Sequence, residues 1–531
     1  MNFSFFQNEN IAKNKCFYYL FAFLAFILCI FANICCSKYT VFLSDDMTTP
    51  SIFMNSFDHF LQTTGHGRYL GNFFASIICL WMPRLLDLNP IVWHQTGEAV
   101  INGVFIYIIC YFWAKILTLK QDKPILRHIF IMLFYYYYLA NYCTKDIYTS
   151  FVGFFSYIFP FMFFISLLYL IIKSIFEEKE YGRKEIIIYS ILSFLVGVST
   201  EPLFSTTFIA FSLVILYIKL IEKRSIKYLF IPLFFLVLGI TLYFSSPGFL
   251  CTFYGNEGAF KEPSLIVMFT DFYTYNMDSG NYDYFVYVAS FIFLFFINLF
   301  LYKKNSDDIA KKSLLLSTIL FLSFIGTFMS IMLTGYKFFC QIFDLMMPLK
   351  MILLTTIIIQ FVSIIRYSKF FSFIVIGFFI MSIIINYDDV SKVIKLMKEN
   401  NIMEVRNLYL DNSPKQYYKE RYLRERIYLY YIYSNKFPTL NLDGNYGNGG
   451  SSPLPYLNNA YNLKMNVHYS VLSEMDEDLS KYVNIVDTLE EAYKTYVENG
   501  GPEISEEEIE NADFQKLRDR NFVLYGIESR K

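Results

Sequence analysis

The sequence predicts an all-α polytopic membrane protein, with about eleven transmembrane helices, further helices on the outer membrane surface and a C-terminal mixed α/β domain outside the cytoplasm. Of its 531 residues, 55% are hydrophobic and only 17% are charged, whereas soluble proteins average about 25% charged residues. Apolar runs of bilayer-spanning length recur up to residue 386, and charged residues become much denser beyond it. The chain therefore divides into a membrane domain, 1–386, and a soluble domain, 387–531.

The first transmembrane helix is predicted at residues 16–36. Lys13 and Lys15 precede this apolar run, which is longer than the hydrophobic core of a signal peptide and about as long as a bilayer requires. No A-x-A cleavage site follows it, so we expect an uncleaved span. The other predicted spans are 96–118, 126–142, 153–172, 185–200, 203–221, 226–245, 284–301, 313–333, 343–364 and 370–386.

Cations in the connections predict the orientation of these spans, because short cytoplasmic loops are enriched in lysine and arginine. Six clusters occupy alternate connections: Lys13/Lys15, Lys115/Lys120/Lys123/Arg127, Lys173/Lys179/Arg183/Lys184, Lys219/Lys223/Arg224/Lys227, Lys303/Lys304/Lys311/Lys312 and Arg366/Lys369. The other connections carry only scattered single cations. The N-terminus is therefore predicted to be cytoplasmic, and an odd number of spans places the soluble domain outside the inner (cytoplasmic) membrane of the cell.

The connection between the first two spans, residues 37–95, is too long for a simple link and contains two apolar segments. Thr49 and Pro50 form an N-cap and first-turn pair, which aromatic residues on one helical face follow. The second segment runs from about Tyr69 to Leu86. Both segments are predicted to lie at the outer membrane surface; for the second, a true span is the alternative. A later outer loop, 246–283, contains a similar segment.

The candidate site residues are polar side chains in or beside the predicted outer loops. Asp45 and Asp46 follow the first span, where adjacent carboxylates are costly near lipid unless something pairs with them. A helix cap or an ion pair with Arg68 is the purely structural interpretation. Glu201 lies where two apolar runs meet, and an ionisable group at that depth is a candidate functional residue. The outer loops also contain Asp58, His59, His66 and Lys337.

The composition argues against several classes of function. The net charge is −1 and no basic domain is present, so we expect no nucleic-acid partner. No C-x-x-C or histidine-rich spacing occurs, and the sequence therefore predicts no metal site. The glycine-rich segment 443–453 lacks the lysine, the preceding strand and the following helix of a phosphate-binding loop.

This arrangement resembles the GT-C superfamily of glycosyltransferases, most closely the bacterial serotype-converting glucosyltransferases and their uncharacterised relatives. The resemblance covers residues 1–386 and includes the cytoplasmic N-terminus and the long first outer loop. The motifs that carry it are Ser44-Asp45-Asp46, Gly67-Arg68-Tyr69, Glu201-Pro202 and Ser246-Pro247-Gly248. Relatives often have an aromatic residue directly after the acidic pair, where this chain has Met47.

The resemblance implies an inverting enzyme that moves a sugar from a polyprenyl-phosphate donor to a glycan or glycolipid acceptor at the outer face of the bilayer. Asp45 or Asp46 would accept the proton of the attacking hydroxyl. Arg68, and secondly Lys337, would bind the donor phosphate. No cofactor is required; a divalent metal between the acidic pair and Glu201 remains an alternative. Contacts with the substrates are expected from Asp58, His59, His66 and Glu201.

Three other functions would leave different signals in the sequence. A transporter or a flippase for lipid-linked glycans would have polar or broken segments in the middle of several spans, whereas here charge in the middle of spans is scarce and polar residues gather at outer ends. An O-antigen polymerase or ligase would have an arginine-rich late outer loop, and residues 246–283 contain no arginine. A membrane-anchored interaction protein would not need eleven spans.

The soluble domain is predicted to contain helices at 390–400 and 413–433 and a strand at 522–527. Its predicted side of the membrane suggests a role in capturing the acceptor glycan.

Overall fold

The computed structural model describes most of the membrane domain and two short segments of the C-terminal region. The described residues are 15–37, 69–86, 93–119, 124–142, 154–178, 181–246, 270, 283–305, 308–333, 343–367, single positions between 373 and 384, 437–440 and 483–486. In this part of the chain, eight helices are long and apolar enough to cross a membrane. The prediction of a polytopic helical membrane protein is thereby confirmed, while the total of eleven spans stays a prediction.

The helices follow one another in the order of the predicted apolar runs. They are α1 (Lys15–Ser37), α2 (Tyr69–Ala75), α3 (Met82–Leu85), α4 (Ala99–Leu117), α5 (Pro124–Tyr142), α6 (Phe159–Glu177), α7 (Arg183–Gly197), α8 (Glu201–Leu220), α9 (Lys227–Phe244), α10 (Asp283–Asn305), α11 (Asp308–Leu333) and α12 (Phe343–Tyr367). Among the residues described above, three π-helical turns occur, at Ser76–Trp81, His94–Glu98 and Phe154–Ile158. The eight long apolar helices are α1, α4, α6 and α8 to α12.

Two predicted spans form helices that are too short to be counted with these eight. The apolar part of α5 covers only Ile125–Leu139, and α7 has 15 residues, whereas a perpendicular span needs about 20. The second apolar segment of the first loop is helical from Tyr69, as predicted. The surface helix predicted to begin at Thr49 and Pro50, most of the 246–283 loop and the predicted elements of the soluble domain lie outside the described residues.

The chain forms two compact units. The first comprises residues 1–38, 61–75 and 96–391, and the second comprises 39–60, 76–95 and 392–531. In the second unit, the Trp93 indole N–H donates a hydrogen bond to the Ile78 carbonyl over 2.8 Å. That unit also contains the antiparallel strands β1 (Phe437–Leu440) and β2 (Val483–Val486).

The centre of the first unit is α12, whose membrane-spanning part is completely buried by its neighbours. Its Thr355 hydroxyl accepts a hydrogen bond of 2.9 Å from the Trp113 indole of α4. The Trp113 ring also packs edge-on against Phe134 of α5 and Phe161 of α6. Four helices therefore meet around one buried tryptophan.

The backbones of helices α7 and α9 approach each other closely. A Cβ at Gly197 would lie 2.7 Å from the Leu236 carbonyl oxygen, and one at Gly239 would lie 2.7 Å from the Phe194 carbonyl oxygen. Helices in lipid gain little from the hydrophobic effect when they associate, so close packing of small residues supplies much of the attraction. The two glycines let α7 and α9 approach to that distance.

The ends of the spans differ in charge. We call the helix ends that carry the clustered cations the basic end. The opposite helix ends, where α7 ends and α8 begins, are called the Glu201 end. At the basic end, the buried Lys312 ammonium pairs with Glu178, directly after α6, and with Asp308 over 2.8 Å. The hydrogen bond from Lys312 holds the pKa of the Glu178 carboxyl below its usual value.

Replacing Gly239 with alanine should destabilise the α7–α9 pair by about 1–3 kcal/mol, the usual cost of forcing an extra group into a packed interface. The free energy of unfolding of the purified protein in detergent measures this. Gly377→Ala is the matched control, because a Cβ there meets nothing within 4 Å. Equal stability of the two variants would contradict the close contact.

Replacing Glu178 with glutamine should lower stability most at neutral pH. Because the folded-state pKa of Glu178 is lowered, its pairing stabilises the protein above the usual carboxyl pKa of about 4.3 and is lost as pH falls through the lowered value. The effect should stay below about 1 kcal/mol, since the Glu178 side chain is 61% exposed. Unfolding curves of both proteins over this pH range should converge in acid; a constant difference would contradict the assignment.

Candidate functional site

Of the predicted site residues, only Glu201 lies in the described part of the chain. It is the first residue of α8 and follows a short turn, residues 198–200, that ends α7. The other seven are outside the described residues, so the structure leaves their predicted roles untested: Asp45, Asp46, Asp58, His59, His66, Arg68 and Lys337.

The local sequence explains why a helix begins at Glu201. Thr200 is extended and occupies the N-cap position, and Pro202 lies in the first turn, where its missing N–H costs nothing. The Leu203 amide donates to the Thr200 carbonyl over 3.0 Å, which closes the first turn. A carboxylate in this turn interacts favourably with the positive end of the helix dipole.

A tyrosine of the neighbouring helix holds the Glu201 carboxylate. The Tyr243 hydroxyl, near the end of α9, donates a hydrogen bond to Glu201 Oε1. Tyr243 is completely buried, and Glu201 is half-buried. The carboxylate is therefore fixed in position, and its second oxygen, Oε2, is buried as well.

Helix α2 packs across the same turn. The Leu70 amide donates to the Val198 carbonyl over 3.4 Å, and the Tyr69 hydroxyl is hydrogen-bonded to Ser246, just beyond α9. A Cβ at Gly71 would lie 2.6 Å from the Phe155 carbonyl oxygen, so glycine is needed for this approach. Residues of two motifs that carry the family resemblance therefore lie in neighbouring elements: Tyr69 begins α2, and Glu201-Pro202 begins α8.

A buried lysine that the sequence interpretation missed lies inside the bundle. Lys350 is in α12, seven residues after the helix begins, and is only 1% exposed. Its ammonium lies 5.2 Å from the centre of the Tyr284 ring in α10, a cation–π contact. Both helices run from the Glu201 end to the basic end. The signal in the sequence was a single cation within the apolar run 343–364, and averaging the hydrophobicity over the run concealed it.

A buried carboxylate was missed for the same reason. Glu98 ends the π-helical turn before α4 and is completely buried. The Asn102 side-chain amide donates a hydrogen bond of 3.3 Å to it. Phe105, about two turns after Glu98, packs on Phe159 at the start of α6, so Glu98 also lies at the Glu201 end.

Within the described ranges, no group of three or more His, Cys, Asp or Glu side chains is placed to hold a metal ion. Comparisons with known proteins add no family to this description. No protein-family model matches the chain, and neither a curated protein nor a solved structure matches it.

Removing the Tyr243 hydroxyl should destabilise the Glu201 end. Tyr243→Phe should cost about 1.5–3 kcal/mol, the range for hydrogen bonds to charged groups, and much less in a Glu201→Met background, because each change removes the same bond. A double-mutant cycle of thermal unfolding measures this coupling. Tyr19→Phe is the control, since Tyr19 is 65% exposed on α1. If the two substitutions had additive effects on the free energy of unfolding, the hydrogen bond between Tyr243 and Glu201 would contribute nothing to stability.

Proposed function

We propose that this protein is an integral-membrane glycosyltransferase that moves a sugar from a polyprenyl-phosphate donor to a glycan or glycolipid acceptor of the cell envelope, with inversion at the anomeric carbon. The sequence resemblance to the GT-C superfamily is the first support. The second is the set of ionisable side chains at the Glu201 end. Among them the buried Lys350 is the strongest support, because a cation is costly to bury in a membrane helix and is therefore a candidate functional residue.

The distribution of cations supports an outer location for this chemistry. If the basic end faces the cytoplasm, as the enrichment of lysine and arginine in cytoplasmic loops suggests, Glu201 and Tyr243 belong to the outer half of the bundle. Nucleotide sugars are absent there, whereas a lipid-linked sugar presents its phosphate at the membrane surface. The proposed donor follows from that constraint.

The reaction needs one proton acceptor and a cation for the leaving group. The acceptor hydroxyl attacks the anomeric carbon and passes its proton to Asp45 or Asp46, while the bond from the anomeric carbon to the phosphate oxygen breaks. The polyprenyl phosphate leaves with the bonding electrons, and cations stabilise its charge. We assign Lys350 to this role alongside Arg68 and Lys337, and Glu201 to acceptor or sugar binding together with Asp58, His59 and His66.

Transport of a lipid-linked glycan is the second candidate, and one observation favours it. Inside the bundle, the Asn298 side-chain amide of α10 donates to the Gln360 carbonyl of α12 over 3.1 Å, and the Ser363 hydroxyl donates to Asn298 Oδ1. All three residues are buried. Hydrogen bonds between membrane helices also stabilise bundles that transport nothing, so this network supports the second candidate less than Lys350 supports the first.

Mass spectrometry of cell-envelope glycans and lipid-linked sugars tests the proposal. Deleting the gene should remove one sugar and cause its lipid-linked donor to accumulate. Lys350→Met, at normal expression, should lower transfer by about tenfold or more, since losing even 1.4 kcal/mol of transition-state stabilisation has that effect. Lys304→Met is the matched control, because Lys304 also lies over an aromatic ring, Phe300, but at the basic end.

The acidic pair provides the decisive comparison between the two candidates. Asp45→Asn or Asp46→Asn should abolish the transfer while the donor still reaches the outer leaflet. Accumulation of the donor on the cytoplasmic side only, in the deletion strain, would instead support transport. Normal glycans in both aspartate variants and in Lys350→Met would contradict the proposed chemistry.

A further inference from the structure

Two cations at the basic end, one on α4 and one on α5, are held close together. The Arg127 guanidinium of α5 donates a hydrogen bond of 3.1 Å from Nε to the hydroxyl of Thr118, directly after α4. Thr118 is buried and donates its own hydroxyl hydrogen to the Ala114 carbonyl over 2.8 Å. Lys115 lies three residues before Thr118, a spacing that places two Cβ atoms about 5–6 Å apart on one helical face. Arg127 is therefore fixed one helical turn from Lys115.

Two tyrosine rings hold the Lys115 ammonium between α4 and α6. Its Nζ lies 4.7 Å from the centre of the Tyr111 ring, on α4, and 5.3 Å from the centre of the Tyr169 ring, on α6. Such cation–π contacts offset part of the cost of removing an ammonium from water. Lys115 and both tyrosines are half-buried. An ammonium that is ordered in this way loses less entropy when it binds an anion.

Neither cation forms an ion pair with a carboxylate in the described part of the chain. Three other cations at the basic end each pair with a glutamate: Lys173, Arg224 and Lys312. Glu177 and Arg127 both act electrostatically on the Tyr169 phenol, but Glu177 is paired with Lys173 over 3.8 Å. Like charges one helical turn apart repel each other, so Lys115 and Arg127 together favour the binding of an anion.

The position of these residues in the membrane favours a lipid as the source of that anion. Lys115 belongs to the membrane-spanning stretch Thr96–Leu117 and lies close to its end. Tyrosines near the ends of spans lie at the level of the lipid headgroups, and a lysine there extends its ammonium to the same level while its apolar stem stays buried. Basic pockets between membrane helices bind anionic headgroups in this way.

We propose that Lys115 and Arg127, with the rings of Tyr111 and Tyr169, form a binding site for the headgroup of an anionic phospholipid. The guanidinium of Arg127 binds phosphate oxygens through its terminal nitrogens, and the ammonium of Lys115 adds a second positive charge. The site is independent of the proposed glycosyl transfer, since none of its residues has a role in that reaction and all of them lie at the opposite end of the bundle.

The melting temperature of the full-length protein in a neutral detergent tests the proposal. Phosphatidylglycerol should raise Tm, by a similar increment for each tenfold rise in lipid once the site is half-filled, and phosphatidylcholine should not. Lys115→Met and Arg127→Gln should each weaken the apparent affinity at least about tenfold, the effect of losing one bond to a charged group. Lys304→Met is the matched control and should keep the response, because Lys304 is an exposed cation at the same end, over the Phe300 ring.

Photolabelling keeps the test decisive if a variant fails to fold. A phosphatidylglycerol with a photoreactive headgroup should label the wild-type protein within residues 108–131 or 165–173, and unlabelled phosphatidylglycerol should prevent this. Soluble glycerol phosphate should neither compete nor raise Tm; an equal effect of both compounds would overturn the assignment to a lipid and indicate a site for free phosphate. Labelling confined to other segments, or an equal loss of affinity in Lys304→Met, would overturn the proposal and indicate unspecific attraction by the basic end.

Discussion

The bundle depends on the complete enclosure of α12 by other helices. In a bilayer no water reaches the polar groups of a span, so each must find its partner within the protein. Along α12 these partners come from different helices: Tyr284 of α10 for Lys350, Trp113 of α4 for Thr355 and Asn298 of α10 for the Gln360 carbonyl. A helix facing lipid on any side could not carry so many polar residues, and those residues in turn specify which helices surround it.

The peripheral helices are held by a different kind of contact. Helices α7 and α9 have apolar faces exposed at Ile187, Ile191, Phe230 and Phe234, as lipid-facing surfaces require. Their attachment to one another relies on Gly197 and Gly239, where the backbones touch. This contact also brings the end of α9, with Tyr243, beside the start of α8, and so it determines where the Glu201 carboxylate is held.

The sequence predicted the helices well and the site only in part, for one physical reason. Hydrophobicity is a property of a whole run, so the predicted span 203–221 matches α8, Glu201–Leu220, closely. A single ionisable residue changes the average of a run very little, and Glu98 and Lys350 were therefore overlooked. The Tyr243 partner of Glu201 depends on the crossing of two helices, which periodicity does not encode. The roles of Asp45, Asp46 and Arg68 stay predictions.

The two ends of the bundle use their charges in opposite ways. At the basic end, carboxylates such as Glu178 and Asp308 are more than half exposed and pair with a lysine, an arrangement that water and ions can replace. At the Glu201 end, Glu98 and Lys350 are buried among apolar helices, where an ionised group survives only if specific contacts offset the loss of hydration. Exposed cations in the connections are the residues that orient membrane proteins, so orientation does not explain this costly placement. Stability or function at the Glu201 end must therefore account for it.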